Sequence, residues 1–589
     1  MTDLVCRSVS TVSIDALAGR LDFDYSPLEL GNGRKNVSRK FSNRIILAVV
    51  LVIAAELVVA GLSADNPAAQ VGTPAAKADD QPAYGDMLVR GSIGDASVLL
   101  PVLASDSGSF DITGMIYNGL VKYDKDINLI GDLAERWEIS EDKLTIRFFL
   151  RKDVKFQDGK PFTARDVEYT YKIYVDPKTP TAYATPFLKV KDFRVLDDYT
   201  VEVTYGKPYA PALGSWGAGV LPRHLLEGTD ITQSPLKRNP IGTGPFRFKE
   251  WATGEKIVVD AYDDYYDGRP YISRVLTRII PDLATMFLEL KAGRIDQMGL
   301  SPLQFTRQTE TKQFKENFNK YKYLSFGYTY LGYNLKDWRF QDKRVRQALT
   351  TAINRDSIVQ GVLLGLGVVA QTPYNPDTFW YNPNVKKFPY DPEKAKQMLA
   401  EAGWKDTDGD GILDKDGKPF QFTILTNQGN DLRKNAATII QRDLKRVGIQ
   451  AKIRVIEWAA FVKNFLDKRE YEACLLGWGI GIDPDQTDIW NSTKTAQHQL
   501  NFMSYSNKEV DQLLDDGVST YDRDERKKYY DRFQEIIAED QPYTFLWVAD
   551  ALQIVNARIH GVKPAPAGLT YNFDKWYVPK PLQKYHIQQ

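Results

Sequence analysis

Apolar and polar positions alternate in the first third of the chain and then change period. Leu144, Ile146, Phe148 and Leu150 occupy every second position, the pattern of a strand with one buried face. Asp158-Gly159 marks a turn, and Thr163 followed by Asp166 resembles a capping box, so a helix is predicted to start there. Phe193 and Val195, the pair Asp197-Asp198, then Val201, Val203 and Tyr205 predict a hairpin. From Arg344 onward the helical period dominates. Val345, Ala348, Leu349, Ala352 and Ile353 share one helical face, and Asn354 is placed to cap a second helix carrying Ile358, Val359, Val362 and Leu363. Asp391-Pro392 opens a further helix that Gly403 closes. A stripe of Ala436, Ile439, Ile440, Leu444 and Val447 precedes a strand with Ile449, Ala451, Ile453 and Val455. Asp522 with Glu525 starts a late helix through Phe533, Ile536 and Ile537, and residues 542–548 read as a strand. Helix then strand, repeated, predicts an α/β fold with mixed sheets, the stripes forming its cores.

The N-terminal pattern is different. Arg34, Lys35, Arg39, Lys40 and Arg44 precede an unbroken apolar run over 45–55, interrupted by Glu56 and followed by Val58, Val59 and Ala60. A basic region, a short apolar region and small residues describe a secretory signal, with the cut after Ala60 or Ala64. The rival reading is a membrane anchor, which a carboxylate inside the span disfavours. Residues 1–64 are therefore read as an extension carrying a signal peptide or anchor, and 65–83, rich in Ala, Pro, Asp and Gln, as a flexible linker.

Length and charge narrow the function. The chain has 589 residues, too many for one hydrophobic core, so at least two domains are expected. Lys plus Arg and Asp plus Glu both number 76, so there is no basic excess of the kind a nucleic-acid partner requires. The only cysteines are Cys6 and Cys474, so removal of the N-terminal segment leaves no intramolecular disulfide, and Cys474 in its apolar run reads as a buried thiol. The histidines, His224, His498, His560 and His586, are scattered, and neither H-E-x-x-H nor G-x-S-x-G occurs, which argues against an enzyme.

Several strings occur in a recognisable order. They are Tyr117 to Val121, Leu133 to Ser140, the long run Leu150 to Val167, Ile241-Gly242-Thr243-Gly244-Pro245-Phe246, and Val345 to Leu349 with Ala352 to Arg355. With these the chain resembles the bacterial extracellular solute-binding proteins that include the periplasmic dipeptide- and oligopeptide-binding receptors, over nearly all of 84–576. The resemblance implies a two-lobed periplasmic-binding-protein fold of the large class II type, with mixed sheets, flanking helices and a hinge. Lobe I would hold 84–328, including an extra subdomain at about 108–238, and lobe II 329–545, with 546–589 returning to lobe I. It implies a monomeric, exported periplasmic receptor, or one retained by an uncleaved N-terminal membrane segment. Such a receptor captures a peptide between its lobes and hands it to an inner-membrane ABC permease. The alternative is a non-peptide solute such as a nickel chelate, an oligosaccharide or a sensory ligand.

The resemblance also places the ligand. Ser107, Gly108, Ser109 and Phe110 match a lobe I loop facing the cleft, and Trp478, Gly479, Asp483 and Asp485 a lobe II loop lining it, with Trp490 and Asn491 beyond. Peptide receptors of this kind carry in the second loop a carboxylate that pairs with the ligand's amino terminus. The matching position here is Gly481, so either Asp483 or Asp485 takes over, or no free amine is clamped. Separately, Asp406, Asp408, Asp410 and Asp414 follow a D-x-D-x-D-G-x-x-D pattern that fits a structural calcium loop, although Gly417 stands where an EF-hand has its bidentate Glu. A solvated acidic turn is the other reading. No other cofactor is expected.

Overall fold

Two mixed sheets share one long strand, and a cavity opens where they meet. The structure is a computed structural model that describes residues 80–587. The basic and apolar N-terminal segment, Cys6 and nearly all of the linker lie outside the described residues. No helix among the described residues is long and apolar enough to cross a membrane.

The shared strand is Tyr543–Asn556. Its first part runs antiparallel to Gly327–Tyr333, from Gly332 opposite Tyr543 to Thr329 opposite Trp547. Its second part runs antiparallel to Phe318–Leu324, from Leu324 opposite Asp550 to Phe318 opposite Asn556. The chain thus crosses between the two halves within this strand and again at Ser325-Phe326. The strand is 14 residues long, well beyond the predicted 542–548. Its apolar alternation lapses at Ala549, Asp550 and Ala551, where it changes partners, and resumes at buried Leu552 and Ile554. Sequence periodicity stops at that lapse although the backbone pairing does not.

In the first half, Gly85–Ser92 lies parallel to Ile272–Ile279, and Lys256–Ala261 and Phe246–Ala252 follow antiparallel. A separate antiparallel sheet, ordered Ala134–Ile139, Thr145–Leu150, Thr200–Tyr205, Val190–Asp197, buries Ile146, Phe148, Leu150, Val201 and Val203 in the same core. Helix Ala164–Val175 packs on it, and the Asp166 carboxylate accepts the Thr163 amide at 2.9 Å, as the capping pattern predicts. In the second half, Gln450–Ile456, Gln421–Asn427 and Ala473–Gly479 are parallel neighbours, and Ala473–Gly479 pairs antiparallel with Gly327–Tyr333. Helices Lys343–Ala352 and Asp431–Arg446 bury their apolar stripes on this sheet, and Asn354 caps the following helix through the Ser357 amide at 2.8 Å.

Candidate ligand-binding site

A cavity of about 550 Å³ opens between the two halves. Its wall in the second half is built from the ends of three strands and the start of helix Asp431–Arg446. Trp478, near the end of strand Ala473–Gly479, stacks on Phe502 with ring centroids 5.3 Å apart and donates its indole N–H to Tyr543 Oη at 3.2 Å. That bond fixes the plane of a half-buried aromatic ring against the cavity. Gly479 and Gly477 keep the strand end thin. A Cβ on Gly477 would lie 2.7 Å from Arg433 Nη2, so glycine there is what lets the guanidinium reach the cavity.

Arg433 is the one cation among the lining residues. It stands in the first turn of its helix, where Asn430 caps its amide at 3.0 Å. Its Nη1 donates to Asn427 Oδ1 at 2.8 Å, its Nε is buried and meets no acceptor, and among the described residues no carboxylate lies within salt-bridge reach. Burial pulls its pKa down to about 10. A guanidinium half withdrawn from water at a helix N-terminus, without a carboxylate partner among the described residues, favours an anion.

The opposite wall is the start of helix Ser107–Ile116. Asp106 caps it, accepting the Ser109 amide at 3.0 Å and the Ser109 hydroxyl at 2.7 Å, and Ser97 donates to the same carboxylate. A Cβ on Gly108 would sit 2.8 Å from the Asp95 carbonyl oxygen, so only glycine brings this backbone so close to the neighbouring loop. Ser107, Gly108, Phe110 and Asp111 line the cavity, with Phe110 edge-on to Tyr183 at 5.9 Å.

Residues 128–499 match the family described as bacterial extracellular solute-binding proteins, family 5 middle. The oligopeptide-binding protein AppA of Bacillus subtilis is 38% identical over 92% of this chain and 100% of that protein. The structure of AppA in complex with a nonapeptide matches with a TM-score of 0.82 over 85% of this chain and 100% of that one. NikZ from Campylobacter jejuni, in complex with Ni(L-His), is 30% identical with a TM-score of 0.76, over 84% of this chain and 99% of that one. The chain belongs to the extracellular solute-binding family. Its two halves are the lobes of the two-lobed fold.

Against that fold the predicted ligand residues separate into two sets. Ser107, Gly108, Phe110, Trp478 and Gly479 line the interlobe cavity of this solute-binding protein. Ser109 does not. It is fully buried and holds the loop together, its hydroxyl accepting the Ser97 amide at 3.0 Å while donating to Asp106. Asp483 and Asp485 also miss the cavity. Asp483 is bound bidentately by Arg526, at 3.0 Å from Nη1 and 2.9 Å from Nη2. Asp485 accepts the Thr487 amide and hydroxyl at 2.9 Å and 2.6 Å, and burial, reinforced by Asp483 and Asp488, raises its pKa to about 7. Neither carboxylate is therefore free to replace the one missing at Gly481. Trp490 is 1% exposed, a core residue whose indole N–H donates to Gln486 Oε1 at 3.0 Å. Asn491 is buried beside it and caps the following turn through the Thr493 amide at 3.0 Å. Cys474 lies in the same core, and burial pushes its thiol pKa up, as expected of an inert cysteine.

Reasoning from sequence passed over Arg433 and Asp111. Arg433 had a signal: it falls in register with buried Ala436, Ile440 and Leu444, a charge on an apolar stripe. Asp111, on the open face of its helix, had none. In the acidic loop, Asp406, Asp408 and Asp414 bring carboxylate oxygens within 4.8 Å of one another. Asp410, predicted as a fourth ligand, stands outside that group and accepts the Ile412 amide at 2.7 Å. Asp406 already accepts the Gly409 and Gly411 amides, so the loop closes on itself, and none of these residues lines the cavity.

Proposed function

We propose that this protein captures a peptide between its lobes and delivers it to an ABC permease in the inner membrane, as an exported, monomeric binding protein and not a catalyst. The observation that carries the peptide reading is Arg433, a half-buried guanidinium with no carboxylate partner among the described residues, on the wall of the interlobe cavity. A peptide's terminal carboxylate matches its planar fork, and the desolvated wall strengthens the pair. Trp478 and Phe110 supply flat apolar faces that tolerate many side chains, and Gly108 and Gly479 let the ligand backbone approach closely. The cavity volume lies within the range of about 300–1,000 Å³ common to small-molecule sites. The relatives support the same reading, since AppA is an oligopeptide-binding protein whose structure holds a nonapeptide.

The experiment is calorimetry with short peptides and their C-terminal amides, after mass spectrometry of ligand released from denatured protein. Free-acid peptides bind more tightly than their amides, and Arg433→Met weakens free-acid binding by about 30-fold or more, the cost of a desolvated charge pair. A released sugar or metal chelate, or an Arg433→Met variant with unchanged affinity, removes the basis for the peptide reading.

A further inference from the structure

A peptide carries two terminal charges, and lobe II supplies an anchor for only one of them. The family's expected carboxylate position is Gly481, and the nearby Asp483 and Asp485 are occupied elsewhere. The carboxylates that do line the cavity are Asp95, Asp106 and Asp111, all on lobe I. Asp95 accepts the Trp251 indole N–H at 3.0 Å and the Gly254 amide at 2.8 Å. Asp106 is filled by Ser97 and Ser109. The Asp111 carboxylate, among the described residues, accepts no hydrogen bond and has no cation within salt-bridge reach. Arg90, whose positive field reaches it, directs Nε to Thr277 Oγ1 at 2.7 Å and Nη2 to the Asp111 backbone carbonyl at 3.2 Å. Asp111 also sits where the main cavity meets two smaller ones of about 150 and 280 Å³, which gives a ligand end group room beside it.

From this placement we infer that Asp111 of lobe I holds the ligand's free ammonium while Arg433 of lobe II holds its carboxylate. The inference rests on the peptide reading above and adds a division of labour between the lobes. Shielding by the cavity walls, and after it the Asp106 charge, raise the Asp111 pKa against the opposing field of Arg90, and an ammonium offsets the repulsion from Asp106. A ligand carrying both charges then bridges the lobes, meeting an exposed carboxylate on lobe I and a half-buried guanidinium on lobe II. Closure is rewarded in full only by a ligand with both termini free, so an N-blocked peptide forfeits the lobe I half of the bridge.

The test uses the full-length protein and two mixed-sequence short-peptide libraries, one with free amino termini and one N-acetylated, with retained peptides counted by mass spectrometry. The wild type retains the free-amine library at least about tenfold better. Asp111→Asn, near-isosteric and at an open helix position, loses that preference by weakening only the free-amine peptides, and Asp111→Glu restores most of it. Equal retention of both libraries by the wild type, or a preference that survives in Asp111→Asn, overturns the assignment while leaving the Arg433 result standing. Failure of the wild type to retain either library overturns the peptide reading and this inference with it. Unchanged melting temperatures of both variants establish that the readout is binding and not unfolding.

Discussion

Two acidic segments flank the interlobe cavity, and they use their carboxylates in opposite ways. On lobe I, the start of helix Ser107–Ile116 commits Asp106 to its own cap and leaves Asp111 open to the cavity. On lobe II, the loop after Gly479 commits every acid inward: Asp483 to Arg526, Asp485 to Thr487, and Asp488 to Lys494 and, across the lobes, to Thr185. Both segments are rich in Asp and Gly and both face the cleft region, so composition does not separate them. What separates them is the local supply of donors. The second loop packs against Arg526, held in place by donating Nε to the Gly517 carbonyl at 2.9 Å, and an acid next to a fixed guanidinium becomes structure. The first segment's nearest donors are spent on Asp95 and Asp106, and the acid left over is available to a ligand.

If this contrast is right, the strongest perturbation of the second loop changes stability and not binding. Asp483→Ala strands Arg526, whose side chain is 8% exposed, without its bidentate partner. A loss of about 3 kcal/mol is expected, at the low end for a broken buried pair because Asp483 itself is partly open to water. Thermal unfolding reads this as a lowered midpoint, while calorimetry with peptide finds the affinity within about twofold of wild type. A variant of normal stability that binds peptide poorly would move Asp483 back to the ligand.

Asp485 gives a smaller effect with a definite sign. Its pKa of about 7 in the folded protein lies above the value of about 3.9 for an unfolded chain. Between those two values the folded state binds more protons than the unfolded one, so this group's contribution to stability falls as pH rises from about 4 to 7 and stays at its minimum above that. Asp485→Asn keeps an oxygen to accept both Thr487 donors and removes the charge. It therefore melts about 1–3 °C higher than wild type at pH 8 and converges with it near pH 4. A variant that melts lower at pH 8 would show that the ionised carboxylate is stabilising.

The comparison also shows what a sequence exposes to inspection. The strand pair around Asp197-Asp198, the caps at Asn354 and Asp391 and the stripe from Ala436 to Leu444 could be read because each is a local contract between neighbouring residues. Trp478 and Gly108 reach the cavity because a motif carried them there, not because their own neighbours required it. The misplaced residues fail for one physical reason. Whether Asp483, Trp490 or Asn491 points to ligand or to core depends on helix Arg523–Asp540 and on Asn501, and nothing within the loop states where those groups come to lie. Arg433 sat on an apolar stripe in plain view, but a charge in that register is also what a core ion pair produces, and only the folded chain shows that its partner is missing.

Trp478 marks the boundary between the two behaviours, because it belongs partly to the wall and partly to the cavity. One side of its indole is occupied by Phe502, and its N–H by Tyr543 Oη. Trp478→Ala therefore removes a wall from the ligand and also leaves the Tyr543 hydroxyl without that donor. Tyr543 is 1% exposed, but its ring stays stacked on Tyr330 at 3.8 Å, so the core beneath survives. The loss of one aromatic face against a ligand is worth about 1.4 kcal/mol, or about tenfold in affinity. Trp478→Phe separates the two roles, since it keeps an apolar face toward the cavity and gives up the N–H. If the wall matters for its flat surface, the Phe variant recovers most of the binding lost in the Ala variant while its melting temperature stays level with that of Ala. If instead both variants bind as wild type and both melt lower, Trp478 belongs with Trp490 among the core residues, and the cavity's lobe II wall begins at Arg433.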